Sequence, residues 1–530
     1  MKRTTVALAA LGAALLSASA CSGSGETRTG DDTGGAGGDG VTVAIEADPG
    51  SLNPITNATQ AGETLAAFSY ESLLSFPPGQ EETGALAEKW EVSTTEAVFT
   101  LKKDITCADG AKLTPSDVAA TFTYAQTPDT GSPYRGVYFP AEGLTVTPDD
   151  AAGTVTFTVD TPQSFLNRTI GSLPIVCAAG LKDPEALATK TFGTGPYELT
   201  EANPGQSYDF ALREDYAWGP GGITAQSDGI PRSVVAKVVT SLSTRANMLQ
   251  SGEVQLASIS GIERDRFTED DFTTSTTLNL RPGLLFFNQA PGRPTNDLAV
   301  RQAIATGVDY EGIGNVASEG YGEPMTNLVP GYDTLCPGMD SAAALPSFDV
   351  EKAKALLDEA GWKVGKDGLR AKDGKPLLLK VLFPSEESAG LTGAIELLQQ
   401  KLGEIGVRGE PTPAAAYTDV IFQGGDWDLV WAPIYTTLPS DWQGILSGEF
   451  PPDGGNWTYN TNEEYFTLAA QAQGHAGKDS CQAWTKAQDS LITDLEVLPV
   501  TSSTTTIYGK GVAFDLSKTI LAPATLKLDS

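Results

Sequence analysis

Histidine is nearly absent from this chain: His475 is the only one in 530 residues. A zinc centre or a serine–histidine triad therefore has almost no material to work with. None of the five cysteines has C-x-x-C spacing, which leaves a redox pair equally poorly supplied. The chain also lacks a G-x-S-x-G elbow, a Walker motif and an H-E-x-x-H pair. Basic residues are scarce, with Lys+Arg 35 against Asp+Glu 67 and a net charge of −32. Such a field repels phosphate polymers and anionic membranes, so a nucleic-acid partner is excluded, while the charge of a small ligand stays open. Beyond the first twenty residues no apolar run approaches membrane length, and there is neither an internal repeat nor a long linker after residue 40.

What is present begins with an export signal. Lys2 and Arg3 form a basic start, Val6 to Leu16 an apolar stretch too short to anchor, and Ala18-Ser19-Ala20 a small-residue cleavage site. Cys21 then takes the first mature position, followed by a Ser, Gly, Asp and Thr tract to Gly40. This is the arrangement of a bacterial lipoprotein whose thiol carries diacylglycerol and whose tail is a tether. Removal of residues 1–20 leaves about 510 residues, enough for two to four domains. Cys107, Cys177, Cys336 and Cys481 then lie in an oxidising compartment, where four cysteines allow three pairings.

Regular structure is expected from Val41–Ile45, an alternating strand that delivers the turn-rich loop Asp48-Pro-Gly-Ser-Leu-Asn-Pro54. Val98–Leu101, Leu144–Val146 and Thr154–Val159 continue a strand-rich segment. Thr114, Pro115 and Asp117 mark a helix start between them. Asp349 caps a second helix whose Val350, Ala353, Leu356, Leu357 and Ala360 share a face, and Gly361 ends it. Leu377–Phe383 reads as a buried strand. The stripe Leu391, Ile395, Leu398, Leu402 and Ile405 makes the next helix, closed by Gly406, so this half is α/β with a parallel component.

Two stretches carry a specific resemblance. Gly193-Thr-Gly-Pro-Tyr-Glu-Leu runs on to Leu212-Arg-Glu-Asp-Tyr216-Ala-Trp-Gly219, and Leu285-Phe-Phe-Asn288 precedes Asn296-Asp-Leu-Ala-Val-Arg301-Gln-Ala-Ile-Ala and Val308-Asp309. In the same order stand Leu52-Asn-Pro54, Ala108-Asp-Gly110, Asp349 to Trp362 and Gly425-Asp-Trp-Asp-Leu429. Collinear over roughly residues 41–520, these resemble the family 5 extracellular solute-binding proteins, the dipeptide, oligopeptide and nickel-binding group of ABC importers. Read locally, Gly193 and Gly195 beside Pro196 suit a tight turn with unusual backbone angles, and the Tyr197 ring fills core. Arg301 pairs with a nearby carboxylate.

The resemblance implies an α/β clamshell of the type II periplasmic-binding-protein kind, with an extra subdomain inserted in lobe one. Residues 41–60, 190–281 and 500–530 would form lobe one, 61–189 the insert and 282–499 lobe two. On that map the disulfides are Cys107–Cys177 and Cys336–Cys481, since a bridge between lobes would lock the hinge. In relatives that bind peptides an Asp after the G-D-W-D strand captures the ligand's amino terminus. Here that place falls at Thr437, with Asp441 four residues later. Trp427, Trp431, Trp442 and Trp457 crowd one stretch with Tyr435 and Tyr459. Trp427 reads as core, whereas Trp431, Tyr435 and Trp442 suit pocket or core equally. On lobe one the family places Asp48, Pro49 and Gly50 against ligand, with Asn288 beside the crossover.

The implied function is capture of a peptide or peptide-sized solute between two lobes and delivery to a membrane permease. The protein would act as a monomer without cofactor, metal or catalytic residue, held to the outer face of the cell membrane by lipid alone. Alternatives keep the fold but bind an oligosaccharide or a metal chelate, or sense a solute; a surface hydrolase would need a base that His475, in a Gly474-His-Ala-Gly477 turn, does not offer. Gly312-Ile-Gly314 mimics a dinucleotide fingerprint but follows a helix instead of a strand.

Overall fold

The computed structural model describes residues 39–268, 271–329, 335–385, 389–434, 436 and 438–529. The segment expected to be an export signal, Cys21 and most of the expected tether lie outside them. An eleven-stranded mixed sheet forms the spine, ten strands in one path and Gly322–Pro324 paired beside it to Thr501–Ser503. Its central pair is Thr273–Phe287 and Val497–Gly509, two long antiparallel strands. At one end of this pair, Thr506–Gly509 also joins Leu256–Ile259, which leads on to Gly40–Ile45, Ser233–Val238, Ser207–Leu212 and Tyr197–Asn203. At the other end, Leu284–Phe287 joins Leu429–Ala432, followed by Leu378–Pro384 and Arg408–Ala414.

The register of the central pair slips between Asn279 and Pro282 and again between Gly283 and Leu284. Gly283 takes φ 107°, and a Cβ there would lie 2.0 Å from the Ala432 carbonyl oxygen. Only glycine fits that position, so the irregularity between the two halves of the sheet is written into the sequence. The close approach of Gly314 has a similar cause. It lies inside the helix Tyr310–Ala317, where a Cβ would meet Thr501 at 2.9 Å. Of the glycines in the dinucleotide look-alike, Gly314 thus serves helix packing, while Gly312 lies against the Asp309 cap of the same helix.

Among the described residues five hydrophobic cores flank this spine. One, drawn from residues 55–225 with Ala524 from the end of the chain, covers a separate antiparallel sheet of Ala87–Val92, Glu96–Leu101, Thr154–Val159 and Leu144–Asp149. The helix Pro115–Gln126 packs there behind a full capping box, with Thr114 and Asp117 satisfying each other's backbone. Two cores sandwich the 284–287 end of the sheet. In the first, Leu391, Ile395, Leu398, Leu402 and Ile405 bury the expected stripe of the helix Ala389–Glu404, and the parallel unit Leu378–Pro384, helix, Arg408–Ala414 is present.

Two local expectations need correction. Gly193 and Gly195 do not adopt positive φ. They are small because the end of the helix Gln60–Ser69 crosses them: a Cβ would sit 2.1 Å from the Ser69 oxygen at Gly193 and 2.6 Å from the Phe68 oxygen at Gly195. Arg301 binds carbonyls, not a carboxylate, donating to Asp494 O at 2.8 and 3.0 Å, Thr295 O at 2.9 Å and Asn296 O at 3.2 Å. Such bonds satisfy a buried guanidinium without a second buried charge.

Cys107 is bonded to Cys177 and Cys336 to Cys481, closing stretches of 70 and 145 residues. Each bridge removes loop entropy from the unfolded chain. Replacing Cys107 and Cys177 together by serine is expected to cost the 55–225 core roughly 2–5 kcal/mol. Denaturant unfolding followed by tryptophan fluorescence, compared with the Cys336/Cys481 double variant, would show whether that core loses cooperativity by itself.

Candidate functional site

The Phe76 end of the 55–225 core meets the hairpin Leu516–Ser517 and Ile520–Leu521, which returns from the end of the chain. The joint is fixed by main chain: Lys518 N donates to Phe76 O at 2.7 Å, and the Ser517 hydroxyl accepts from Phe76 N at 3.2 Å. Beside it opens a largely apolar cavity of about 180 Å³, walled by Asn57, Glu63, Phe76, Tyr134, Tyr138 and Lys518. A second cavity of about 50 Å³ shares Phe76, Tyr138, Ser172 and Lys518 with it and reaches Leu438 and Asp441. Leu438 belongs to a core on the other side, with Phe286 and Trp442. The paired cavities therefore carry walls from both halves of the sheet.

Aromatic faces set the shape. Tyr134 and Tyr138 stack at 4.8 Å and 19°, held by the Tyr138 N to Tyr134 O bond of 2.8 Å. The Lys518 ammonium lies 4.5 Å from the Tyr138 ring centre and 5.6 Å from that of Phe76. Arg168 covers Phe76 at 5.3 Å and pairs with Glu82 at 3.0 Å. Burial pushes the Glu63 carboxyl above its usual range, against the pull of Lys518 and a 3.3 Å bond from the Tyr134 hydroxyl. Burial likewise raises Tyr134 strongly, and the Glu63 charge adds to it.

Behind this wall three residues of the Gly193 to Trp218 motif converge on one carboxylate. Thr194 Oγ1 at 2.9 Å, Tyr216 OH at 2.9 Å and Trp218 Nε1 at 2.7 Å all donate to Glu71, a carboxylate that burial raises. Lys102, its own pKa lowered by burial, donates to Trp218 O at 2.9 Å. Glu71 and Ser72 line the larger cavity, so the motif fixes the cavity wall from behind.

The residues expected at the site are dispersed. Asp48 is partly buried, which opposes its charge, but bonds from Gly205 N, Gly50 N and Tyr208 OH outweigh this and hold its pKa low. It clamps the first loop to the 197–212 hairpin. The Pro49 carbonyl accepts from Asn57 Nδ2 at 2.9 Å and so orients a cavity residue, while Gly50 is exposed at φ 70°. Asn288 is buried, donating to Trp427 O at 2.9 Å and accepting from Ala290 N at 3.0 Å. Trp431 is buried among Val381, Leu398 and Leu402, and Trp442 packs 6.0 Å from Phe286. Trp427 and Trp457 meet at a tilt of 48° in the core that holds Trp442, and Tyr459 covers Phe450 at 4.9 Å. Tyr435 and Thr437 lie outside the described residues. Asp441 does line the smaller cavity, and also accepts from Leu438 N at 3.0 Å.

Phe76, Tyr134, Tyr138, Arg168, Glu63 and Lys518 belong to none of the sequence motifs. The Tyr134-x-x-x-Tyr138 spacing was the one available signal, since it puts two rings on one face of a single turn. His475 is exposed, and among the described residues no cluster of His, Cys, Asp and Glu could hold a metal. Nor, among them, is any helix long and apolar enough to cross a membrane.

Known proteins share this architecture. A substrate-binding protein from Microbacterium hydrocarbonoxydans, solved with 4-hydroxybenzoate hydrazide, superposes with a TM-score of 0.71 at 25% identity, over 93% of this chain and 100% of its own. Protein XP55 of Streptomyces lividans is 28% identical over 355 residues, 65% of this chain and 61% of that protein. The glutathione-binding protein GsiB of Salmonella typhimurium is 24% identical over 500 residues, 87% of this chain and 88% of its own. The fold is the two-lobed α/β clamshell of periplasmic binding proteins. Residues 81–456 match the model of the bacterial extracellular solute-binding proteins, family 5, and the chain belongs to that family of non-enzymatic transport proteins.

Proposed function

We propose that this protein captures a peptide-sized solute in the joined cavities around Phe76, Tyr138 and Lys518 and delivers it, chemically unchanged, to an ABC permease. Residues 41–60, 190–281 and 500–530 with the insert 61–189 act as one lobe, and 282–499 as the other. The observation that carries the reading is the pair of shared-wall cavities, one apolar and aromatic, the other reaching Leu438 and Asp441. Flat rings with a few charged groups at their margins are suited to an amphipathic guest. GsiB is a glutathione-binding protein, and the Microbacterium protein binds an aromatic hydrazide; both guests are of the size class suggested here. Closure around the guest excludes water, and the closed form is what a permease recognises.

The lipid on Cys21 would keep the protein, as a monomer, at the outer membrane surface. Native mass spectrometry of protein freshly extracted from membranes tests both parts. A non-covalent guest released intact on denaturation, and a mature chain starting at a diacylglyceryl-modified Cys21, are the expected results. A guest that emerges hydrolysed would overturn capture without chemistry, and an unmodified chain cut after Ala20 would overturn the anchor. Deleting the permease separates import from sensing: import predicts that uptake of the identified guest is lost.

A further inference from the structure

Lys518 occupies a position that a lysine fills at a cost. The hairpin strands Leu516–Ser517 and Ile520–Leu521 pair with only two residues between them, Lys518 and Thr519. The first of these takes φ 56°, where glycine sits without strain and an L side chain does not. A strained residue at a cavity wall suggests a use for its side chain, provided that the side chain is placed for one.

Its placement meets that condition. Lys518 is among the few residues that wall both cavities. Its ammonium donates to the Tyr138 hydroxyl at 3.1 Å. Among the described residues no other side-chain acceptor is within bonding distance and no carboxylate is within salt-bridge distance. A lysine ammonium has three donors, so two remain for a guest. Glu63 affects it only through space. The nearby cation Arg168 is already paired with Glu82. Among the described residues the wall therefore holds a cation with no carboxylate at salt-bridge distance, set over two aromatic faces.

We propose that Lys518 is the anion anchor of the cleft and that the guest is an organic monocarboxylate. Its carboxylate pairs with the Lys518 ammonium, and its apolar or aromatic body lies against Phe76 and the stacked Tyr134 and Tyr138. A single unpaired ammonium matches a single negative charge, whereas a phosphate dianion would call for the second cation that Glu82 has taken. The inference rests on reading these cavities as the capture site. The ammonium is a point-charge partner reached through a flexible stem, so guests of several lengths can be served by one residue.

The test offers the full-length chain an equimolar set of tyrosine-ended di- and tripeptides, once as free acids and once as carboxyl-terminal amides, and reads binding by native mass spectrometry titration. Wild type is expected to hold the acids at least tenfold more tightly than the amides. Lys518→Met keeps the stem over the rings without the charge and is expected to reduce that preference to about twofold or less. Lys518→Arg is expected to restore most of it, and melting temperatures check that each variant is folded. Equal binding of acids and amides by wild type, or a preference that survives Lys518→Met, overturns the anchor and leaves the capture site standing. Binding of neither set overturns both, because the cavities would then not be a site for peptides at all.

Discussion

Phe165→Ala is expected to open the protein without unfolding it. Phe165 belongs by sequence to the segment between the strand Thr154–Val159 and the helix Leu166–Gly171, whose Leu166 and Ile170 are buried in the 55–225 core. Its own ring is 1% exposed and packs in a different core, with Leu284, Met325 and Trp484. Ser164 beside it is equally engaged across the same boundary. Its N–H donates to Gln473 Oε1 at 2.6 Å and its hydroxyl to Ala472 O at 2.8 Å, while Gly477 N and Trp484 Nε1 donate to its carbonyl and hydroxyl. On the surface nearby, Lys478 pairs with Glu81. If closing the clamshell docks this segment, burial of one phenylalanine contributes about 1.5–3 kcal/mol to the closed form, roughly 10- to 150-fold in the closing equilibrium. Phe165 does not line either cavity, so a fall in solute affinity would come through the closed population. Small-angle scattering of the ligand-free variant should give a larger radius of gyration, with little change in melting temperature. Unchanged dimensions and affinity, with a lowered melting temperature, would make Phe165 an ordinary core residue and remove the docking role.

Local signals in the sequence located most of the scaffold. Thr114 and Asp117, Asp349 with its Lys352 N partner, and the 391–405 stripe each act within a turn or two of helix, so their spacing alone carries the information. The collinear motifs identify the class because they are architectural: Thr194, Tyr216 and Trp218 all serve Glu71. The cavity was harder to read for the same physical reason. Phe76 and Lys518 are 442 positions apart (518 − 76) and meet, by a backbone hydrogen bond and by ammonium over ring, only because the fold brings them together. Composition showed that Trp427, Trp431, Trp442 and Trp457 would seek an apolar place, but not which face of the sheet each would occupy. In the structure all four are buried, and Leu438 and Asp441 of the same stretch line the smaller cavity instead. The positive φ of Lys518 leaves no trace in a Ser-Lys-Thr sequence, which reads as any polar turn.

Glu496 should make the protein less stable as pH rises, although the chain is strongly acidic and has only one histidine to titrate near neutrality. The residue immediately precedes the strand Val497–Gly509, is 2% exposed, and among the described residues its Oε2 has no hydrogen-bond partner. Burial pushes its carboxyl up to about 8; the charge of Asp494 adds to the rise, and the attraction of Arg301 only partly opposes it. Arg301 cannot fully compensate because its guanidinium is committed to the carbonyls of Thr295, Asn296 and Asp494. Tyr465 beside it is a neutral phenol, raised by burial and then by Glu496. The folded protein thus keeps a proton that the unfolded chain, with a carboxyl near 4.5, has already released. That contribution is fully present below pH 4.5 and is lost progressively as pH rises through about 8. Over such a gap the loss amounts to roughly 4–5 kcal/mol. Glu496→Gln, which keeps the shape but cannot ionise, should match wild type near pH 5 and exceed it by several kcal/mol near pH 9. Urea unfolding at three pH values, followed by tryptophan fluorescence, measures the difference directly. Parallel stability curves for the two proteins would mean that Glu496 is already ionised in the folded state, with Arg301 as its working partner.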